Sequence, residues 1–378
     1  MKMLCLKSEF HSSNSLLFSC SKVLSVENNP GEKARCVFDI LRSHSMRIGF
    51  RLILVISLLA PFCRVVSAAD HPSFCNQCVR ADEEFLASDE LHGRGSATRD
   101  EHIAAIWAAS QFQSFGLEPG GDNGSFLQKA PLPNPLPDRV KQRLAKYEET
   151  PRTETWNAVA ILRGSDSKTQ QDAILLTAHL DHLGIGPAVR GDSIYNGADD
   201  DASGTTAVIE LARILSQGKR PKRTIVFALF GSEELGGFGN QYFIEHPPVP
   251  LDRIVTNLEF EMIGRPDPAA PAGNFWLTGY ERSNLGQTLA KHGAHIVGDP
   301  HPGQKFFQRS DNYALAKRGI IAQTVSSFNL HKDYHQPSDE ISKLDFPYMT
   351  TVISSMVRPI QWLANTDWKP AWNANGKP

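Results

Sequence analysis

The run Asn196-Gly197-Ala198-Asp199-Asp200-Asp201-Ala202-Ser203-Gly204 constrains this chain more than any other stretch. Three adjacent carboxylates repel one another and resist burial, so such a run is ordinarily a solvated turn. Here it stands between a strand-like apolar segment at residues 173–178 and a helix-like segment at 203–215. In an α/β chain the end of a strand is where ligands bind. A bound cation relieves the repulsion and accounts for the cluster, provided that other stretches supply the remaining ligands.

The pattern around the run is α/β. From Trp156 onward, strand-like apolar segments at 157–162, 173–178, 224–230, 254–260, 274–278 and 320–325 alternate with helix-like ones. The helices are expected at 203–215 with Ser203 as its cap, just after Gly239, at 283–292, and at 348–364 with an interruption at Pro359. Near-continuous apolar strands between helices predict a mixed, mainly parallel sheet covered on both faces, a three-layer α/β/α arrangement. Upstream, Thr98-Arg99-Asp100-Glu101 reads as a capping box. It opens a helix marked by Ala105, Ala108, Phe112 and Phe115 and closed by Gly116. Residues 131–155 carry Pro131, Pro133, Pro135 and Pro137, then a charged run to Arg152, and read as a linker or irregular excursion.

The net charge of −2 leaves no basic footprint for nucleic acid or a membrane surface. Residues 46–51 are basic, residues 52–60 are apolar, and Val66-Ser67-Ala68 offers a small-residue cleavage site, the layout of a secretory signal. The apolar run is short for a membrane span, so no stable anchor is expected. Phe62 is too bulky to precede a lipid-modified Cys63. Because a signal begins at a chain's N-terminus, translation is expected to start at Met46. After cleavage near Ala68 the cysteines left are Cys75 and Cys78, which in an exported chain are expected to form a local disulfide.

Each strand end carries a polar cluster. His179 and Asp181 follow the second strand, Glu233 and Glu234 follow Gly231-Ser232, Glu261 precedes Met262-Ile263-Gly264, and His331-Lys332-Asp333-Tyr334-His335 comes after the last strand. Singly, each has a bland reading as a core histidine, a solvated pair or a turn. Together they should converge on the carboxyl edge of one sheet. Two histidines and three carboxylates form a ligand set for paired borderline divalent metals, chiefly zinc.

Four segments then carry a resemblance. His179-Leu180-Asp181, the aspartate run, Ser232-Glu233-Glu234-Leu235-Gly236 and Tyr334-His335-Gln336-Pro337-Ser338-Asp339 resemble the motifs of the zinc-dependent exopeptidases. That family of di-zinc metallopeptidases includes bacterial leucyl aminopeptidases, aminopeptidase Y and glutamate carboxypeptidase. The resemblance runs from about Glu84 to the last helix and implies two zinc ions bridged by a carboxylate and a water. It implies that Asp200 bridges, that His179 and Glu261 complete one site, and that Glu234 and His335 complete the other. It implies that Asp181 orients His179 and that Glu233 is the general base. The expected organisation is a dispensable N-terminus and signal at 1–68, a single zinc peptidase catalytic domain with an N-terminal helical segment at 69–366, and a flexible tail at 367–378.

Two positions depart from the family's pattern. Glu261 stands where the family has aspartate; one more methylene changes reach and keeps the charge, so Glu261 is expected to ligate, with Glu259 as its competitor. Phe307 stands where some relatives have a tyrosine that stabilises the oxyanion, so that role must fall to the zincs or another donor. The implied activity is an exported aminopeptidase, periplasmic or extracellular, removing N-terminal residues from peptides. A carboxypeptidase or dipeptidase needs basic groups for a substrate carboxylate, for which Arg265, Arg309 and Lys332 are available. A glutaminyl cyclase, a transferase on a similar fold, needs one zinc. A binding protein on an inactive peptidase fold would have lost a ligand or the base, and this chain keeps both.

Overall fold

The structure is a computed structural model that describes residues 74–147 and 151–378. The chain divides into two units, Met1–Val66 and Ser67–Pro378, and the description concerns the second. The signal-like stretch at 46–68 and the expected boundary after it lie outside the described residues. None of the helices described is long and apolar enough to cross a membrane.

The chain opens with α1 (Asn76–Leu86) and α2 (Arg99–Ser114), then β1 (Glu118–Pro119), β2 (Leu127–Pro131), α3 (Asp138–Leu144) and β3 (Glu154–Leu162). After β4 (Ala173–His179) come a small ribbon of β5 (Gly184–Val189) and β6 (Asp192–Tyr195), the long α4 (Ser203–Gln217), and β7 (Thr224–Phe230). A single turn, α5 (Glu233–Gly236), leads into α6 (Phe238–Glu245) and β8 (Ile254–Phe260). The remainder is β9 (Phe275–Leu277), α7 (Leu285–Lys291), β10 (Ile296–Gly298), α8 (Asn312–Lys317), β11 (Ile321–Ser326) and α9 (Phe346–Asn365).

One sheet runs in the order β1-β3-β7-β4-β8-β11-β9-β10, with β2 also paired to β3. Its centre, β7-β4-β8-β11, is parallel, while β3 and β9 join it antiparallel. The mixed sheet with a parallel centre is the one expected from the apolar strands. Side chains alternate across it. Ile174, Leu176 and Ala178 pack with Val208, Leu211 and Leu215 of α4 and with α9 on one face. Ala173 and Leu175 pack with Phe243 of α6 and Leu315 of α8 on the other. Both faces are therefore dry, which is why β4 and β7 are buried along their whole length and read as unbroken apolar runs.

The structure differs from expectation at several elements. Pro359 does not interrupt α9, which runs on past it. The lost backbone donor is offset by the apolar stripe of Val352, Ile353, Met356, Ile360 and Leu363, all buried against the core. Ser203 does not cap α4; its hydroxyl donates to the Asp199 carbonyl. The residues after α9 do not stand free either. Trp368 and Trp372 pack against the core, Trp372 bridges to Ser283, and the Trp368 carbonyl accepts from the buried Arg223 guanidinium at 2.9 Å. Two indoles offer too much apolar area to be left in water. Cys75 and Cys78 are joined by a disulfide at the start of α1.

Candidate metal centre

The carboxyl edge of the parallel strands gathers the polar clusters. The ligand atoms of His179, Asp200 and Glu261 lie within 4.8 Å of one another, and so do those of His182, Asp200 and Glu234. Asp200 belongs to both groups. Its Oδ1 is 3.2 Å from His179 Nε2 and its Oδ2 is 3.2 Å from His335 Nε2. The latter nitrogen is 2.9 Å from Glu234 Oε1, and His182 Nδ1 is 3.3 Å from the same oxygen.

The three aspartates do different things. Asp199 accepts from Gly264 N at 2.7 Å and meets His331 Nε2 at 3.0 Å. Asp201 accepts from the amides of His179, Gly204 and Met262. Both outer carboxylates thus tie neighbouring strand ends to the run, and the middle one is left to the centre. The turn needs its glycines. A Cβ on Gly197, which has φ +60°, would sit 2.3 Å from the Asp200 carbonyl oxygen, and one on Gly204 would sit 2.1 Å from that of Phe260. The Asp200–Asp201 peptide is cis. Asp339 receives the amides of Asp199 and Asp200, and Arg265 in turn spans Asp339 and Asp333. Arg94, fully buried, donates to the carbonyls of Leu180, Asn196 and Gly197 and so binds the histidine loop to the aspartate run.

This donor set fits divalent zinc. Tetrahedral bonds of about 2.0–2.1 Å put neighbouring ligand atoms about 3.3 Å apart, which is the spacing of these edges. His179 Nε2, both ring nitrogens of His182, Asp200 Oδ2 and His335 Nε2 are buried with no hydrogen-bond partner. Buried polar atoms are rarely left so, and a cation satisfies them together. The crowding of acids points the same way. Burial pushes the Glu233 carboxyl well above its ordinary range; His179 opposes the shift, while Glu234, Asp311 and Glu261 add to it.

All five expected ligands, His179, Asp200, Glu234, Glu261 and His335, are brought together. Glu259 is not free to compete with Glu261. Its carboxylate accepts from Ser310, Asn312 and Thr324, which consumes it within the fold. Asp181 departs from the expected geometry. His179 Nδ1 lies 3.1 Å from the Asp181 main-chain carbonyl and 3.8 Å from its carboxylate. The carboxylate instead accepts from Glu233 N at 3.0 Å, Glu234 N at 3.3 Å and the Ser96 hydroxyl. Asp181 therefore steadies His179 through its backbone and fixes the turn that carries the two glutamates through its side chain. Thr98 caps α2 as expected, but Glu101 does not close the box on Thr98 N; its Oε2 accepts from Ala97 N at 2.9 Å, and its Oε1 accepts from Thr155 and Ser232 N, bracing the same turn.

Two groups at the centre lay outside the sequence reading. His182 follows His179 by three residues, a spacing visible in the sequence. Arg143 of α3 contacts the Glu234 carboxylate from the proline-rich excursion, and nothing local to Arg143 announces it. Of the three cations considered for a substrate carboxylate, Arg265 is committed to Asp333 and Asp339, Lys332 is exposed, and Arg309 lies over the Phe306 ring at 4.9 Å. Phe307 packs edge-on against Tyr313 and Trp372. Tyr334, stacked on His335 at 3.8 Å, lines a small cleft with Glu261, Met262, Trp276, Phe306 and Phe328.

The Peptidase family M28 profile matches residues 157–358, over half of the chain. The chain is 28% identical over 168 residues to a probable zinc metalloprotease of Pyrenophora teres f. teres, covering 43% of this chain and 30% of that protein. It is 30% identical over 125 residues to aminopeptidase YwaD of Bacillus subtilis, covering 33% of this chain and 25% of that one. The matched stretch spans less than a third of either relative's length. In three dimensions the chain is similar to BSAP, a zinc aminopeptidase from Bacillus subtilis, with a TM-score of 0.57 over 79% of this chain and 97% of that one at 15% identity, a likeness of fold. The matched residues enclose the aspartate run, the histidine and glutamate motifs at the strand ends, and His335, and the chain belongs to Peptidase family M28, a family of zinc metallopeptidases.

Proposed function

We propose that this chain is an exported di-zinc aminopeptidase that removes single residues from the N-termini of peptides. The observation that carries the reading is the division of Asp200, with one carboxylate oxygen toward His179 and the other toward His335. His179, Asp200 and Glu261 would hold one ion; Asp200, Glu234 and His335 would hold the second, with His182 beside them. Bound zinc supplies a Lewis acid for the scissile carbonyl and lowers the pKa of a water to about 7.

The chain's own residues then move the proton. Glu233, half-buried and outside both ligand groups, takes a proton from the attacking water and hands it to the leaving amine. Glu261 lines the small aromatic cleft, where its charge receives a free amino terminus and the cleft receives the side chain of the residue to be released. At about 30 Å³ this cleft favours a compact apolar side chain. The zinc-loaded chain is expected to hydrolyse alanine and leucine anilides, to leave their N-acetyl derivatives and N-blocked peptides intact, and to lose activity to a chelator. Cleavage of the blocked peptides with the free anilides untouched would overturn the aminopeptidase reading in favour of a carboxypeptidase.

Export rests on the signal-like residues 46–68 and on the Cys75–Cys78 bridge, a pairing of oxidising compartments. Sequencing the mature N-terminus from the exporting cell should find it near Ala69. Recovery of residues 1–45 in the mature protein would count against export and against the Met46 start together.

A further inference from the structure

Beside Glu233, and meeting the aromatic cleft at Arg309 and Ser310, opens a second and far larger cleft of about 710 Å³. Its walls carry Arg139 and Arg143 from α3, Arg309 from the loop before α8, and Lys317 and Arg318 at the end of α8. Its acids are Glu233 itself and the buried Asp311. Five cations against two carboxylates stand out in a chain whose net charge is −2. Among the described residues, Arg139, Arg309, Lys317 and Arg318 have no acidic partner; Arg309 and Lys317 lie over aromatic rings instead. Arg139 reaches over the glutamate turn, 3.5 Å from where a side chain on Gly236 would begin.

The position of the cleft says which part of a substrate enters it. A base that collects a proton from water and returns it to the leaving nitrogen must lie next to that nitrogen. The chain beyond the scissile bond therefore extends on the Glu233 side, into the basic cleft. A neutral leaving group gives these cations nothing to pair with. We propose that Arg139, Arg309, Lys317 and Arg318 form a subsite for a carboxylate on the leaving residue, so that this enzyme prefers short peptides ending just past the scissile bond or peptides acidic at that position. The proposal rests on the aminopeptidase reading and names the substrate class of that same centre.

The test compares Leu-Ala, Leu-Ala-amide and Leu-Glu-amide with leucine anilide, using the zinc-loaded chain. The carboxylate-bearing substrates are expected to show kcat/KM about three- to tenfold above Leu-Ala-amide, mostly through KM, since partly exposed ion pairs contribute modestly one by one. Raising the ionic strength should narrow the gap. The triple variant Arg139→Gln, Lys317→Gln, Arg318→Gln, all exposed positions, should erase the preference and hydrolyse the anilide as before. A preference confined to Leu-Ala assigns the subsite to a peptide's own C-terminus; one confined to Leu-Glu-amide assigns it to an acidic side chain. Equal kcat/KM on all three peptides, with the anilide hydrolysed, overturns the subsite alone. Failure to hydrolyse the anilide overturns the aminopeptidase reading instead. A preference that survives the triple variant removes these residues from its cause.

Discussion

Glu233→Gln is expected to lower kcat by about 10²–10⁴-fold and to leave the metal content of the chain unchanged. The expectation follows from where Glu233 sits. It begins the single turn α5, its amide is held by Asp181 Oδ1 at 3.0 Å, and neither ligand group includes its carboxylate. Glutamine keeps the size of the side chain and its capacity to hydrogen-bond, and the backbone anchor at Asp181 is untouched. What it loses is the ability to take a proton. Glu234→Gln is the contrasting variant. Glu234 is buried, faces His335 and His182, and is contacted by Arg143, so its replacement removes an anion from among ligand atoms. It should lower zinc occupancy together with activity, and leave the Arg143 guanidinium without its counter-charge. Metal analysis beside kinetics on both purified variants separates the two roles. Loss of zinc in Glu233→Gln with retention in Glu234→Gln reverses the assignments, and full activity in both displaces the proposed centre altogether.

The legible part of this protein was the part written in periodicity and in charge placed where charge is costly. Strand β7 occupies the residues its apolar run marks out, because both faces of the parallel centre are dry; β8 keeps its bounds although Thr256, Asn257 and Glu259 interrupt its apolar residues, each of the three being hydrogen-bonded within the fold. The aspartate run could be located because three adjacent carboxylates between a strand-like and a helix-like segment demand an explanation. Glu261 could be preferred over Glu259 by its neighbours, and the structure adds the reason, since Glu259 is consumed by three donors. The illegible part lies in long-range contacts. Arg143 approaches Glu234 across 91 residues of sequence, from a segment whose prolines and charges read as a linker. Asp181 could be matched to an orienting role, but which of its oxygens faces His179 depends on how the Glu233 turn packs above it. His182 was within reach of sequence reasoning. It shares a strand end with His179, and three residues suffice to return a side chain to the same edge. The polar, proline-containing surroundings of the terminal tryptophans read as a flexible tail, yet both indoles pack against the core.

Asp200→Asn should abolish zinc binding at both positions, whereas the same change at Asp199 or Asp201 should not. A carboxylate can give one oxygen to each of two cations; a carboxamide has one oxygen, no charge, and an N–H₂ group that would face either His179 or His335 as a donor toward a cation. The outer aspartates accept hydrogen bonds from main-chain amides, a task that the carboxamide oxygen can partly keep up. Thermal unfolding distinguishes the cases without recourse to activity. A ligand that binds the native state alone stabilises it by about 2.7 kcal/mol at a free concentration 100 times its Kd. Zinc should therefore raise the Tm of the unmodified chain and of Asp199→Asn and Asp201→Asn. The outer variants are expected to start lower, because each weakens the ties between strand ends. Asp200→Asn should show no rise with zinc. Its metal-free Tm should fall below that of the unmodified chain, since against the cost of burial His179 and His335 hold the Asp200 carboxyl well below its ordinary range, and the amide leaves those histidines without their counter-charge. A zinc-dependent rise in Tm that persists undiminished in Asp200→Asn would mean that the two ligand groups do not share this residue, and the pairing of metals about it would have to be abandoned.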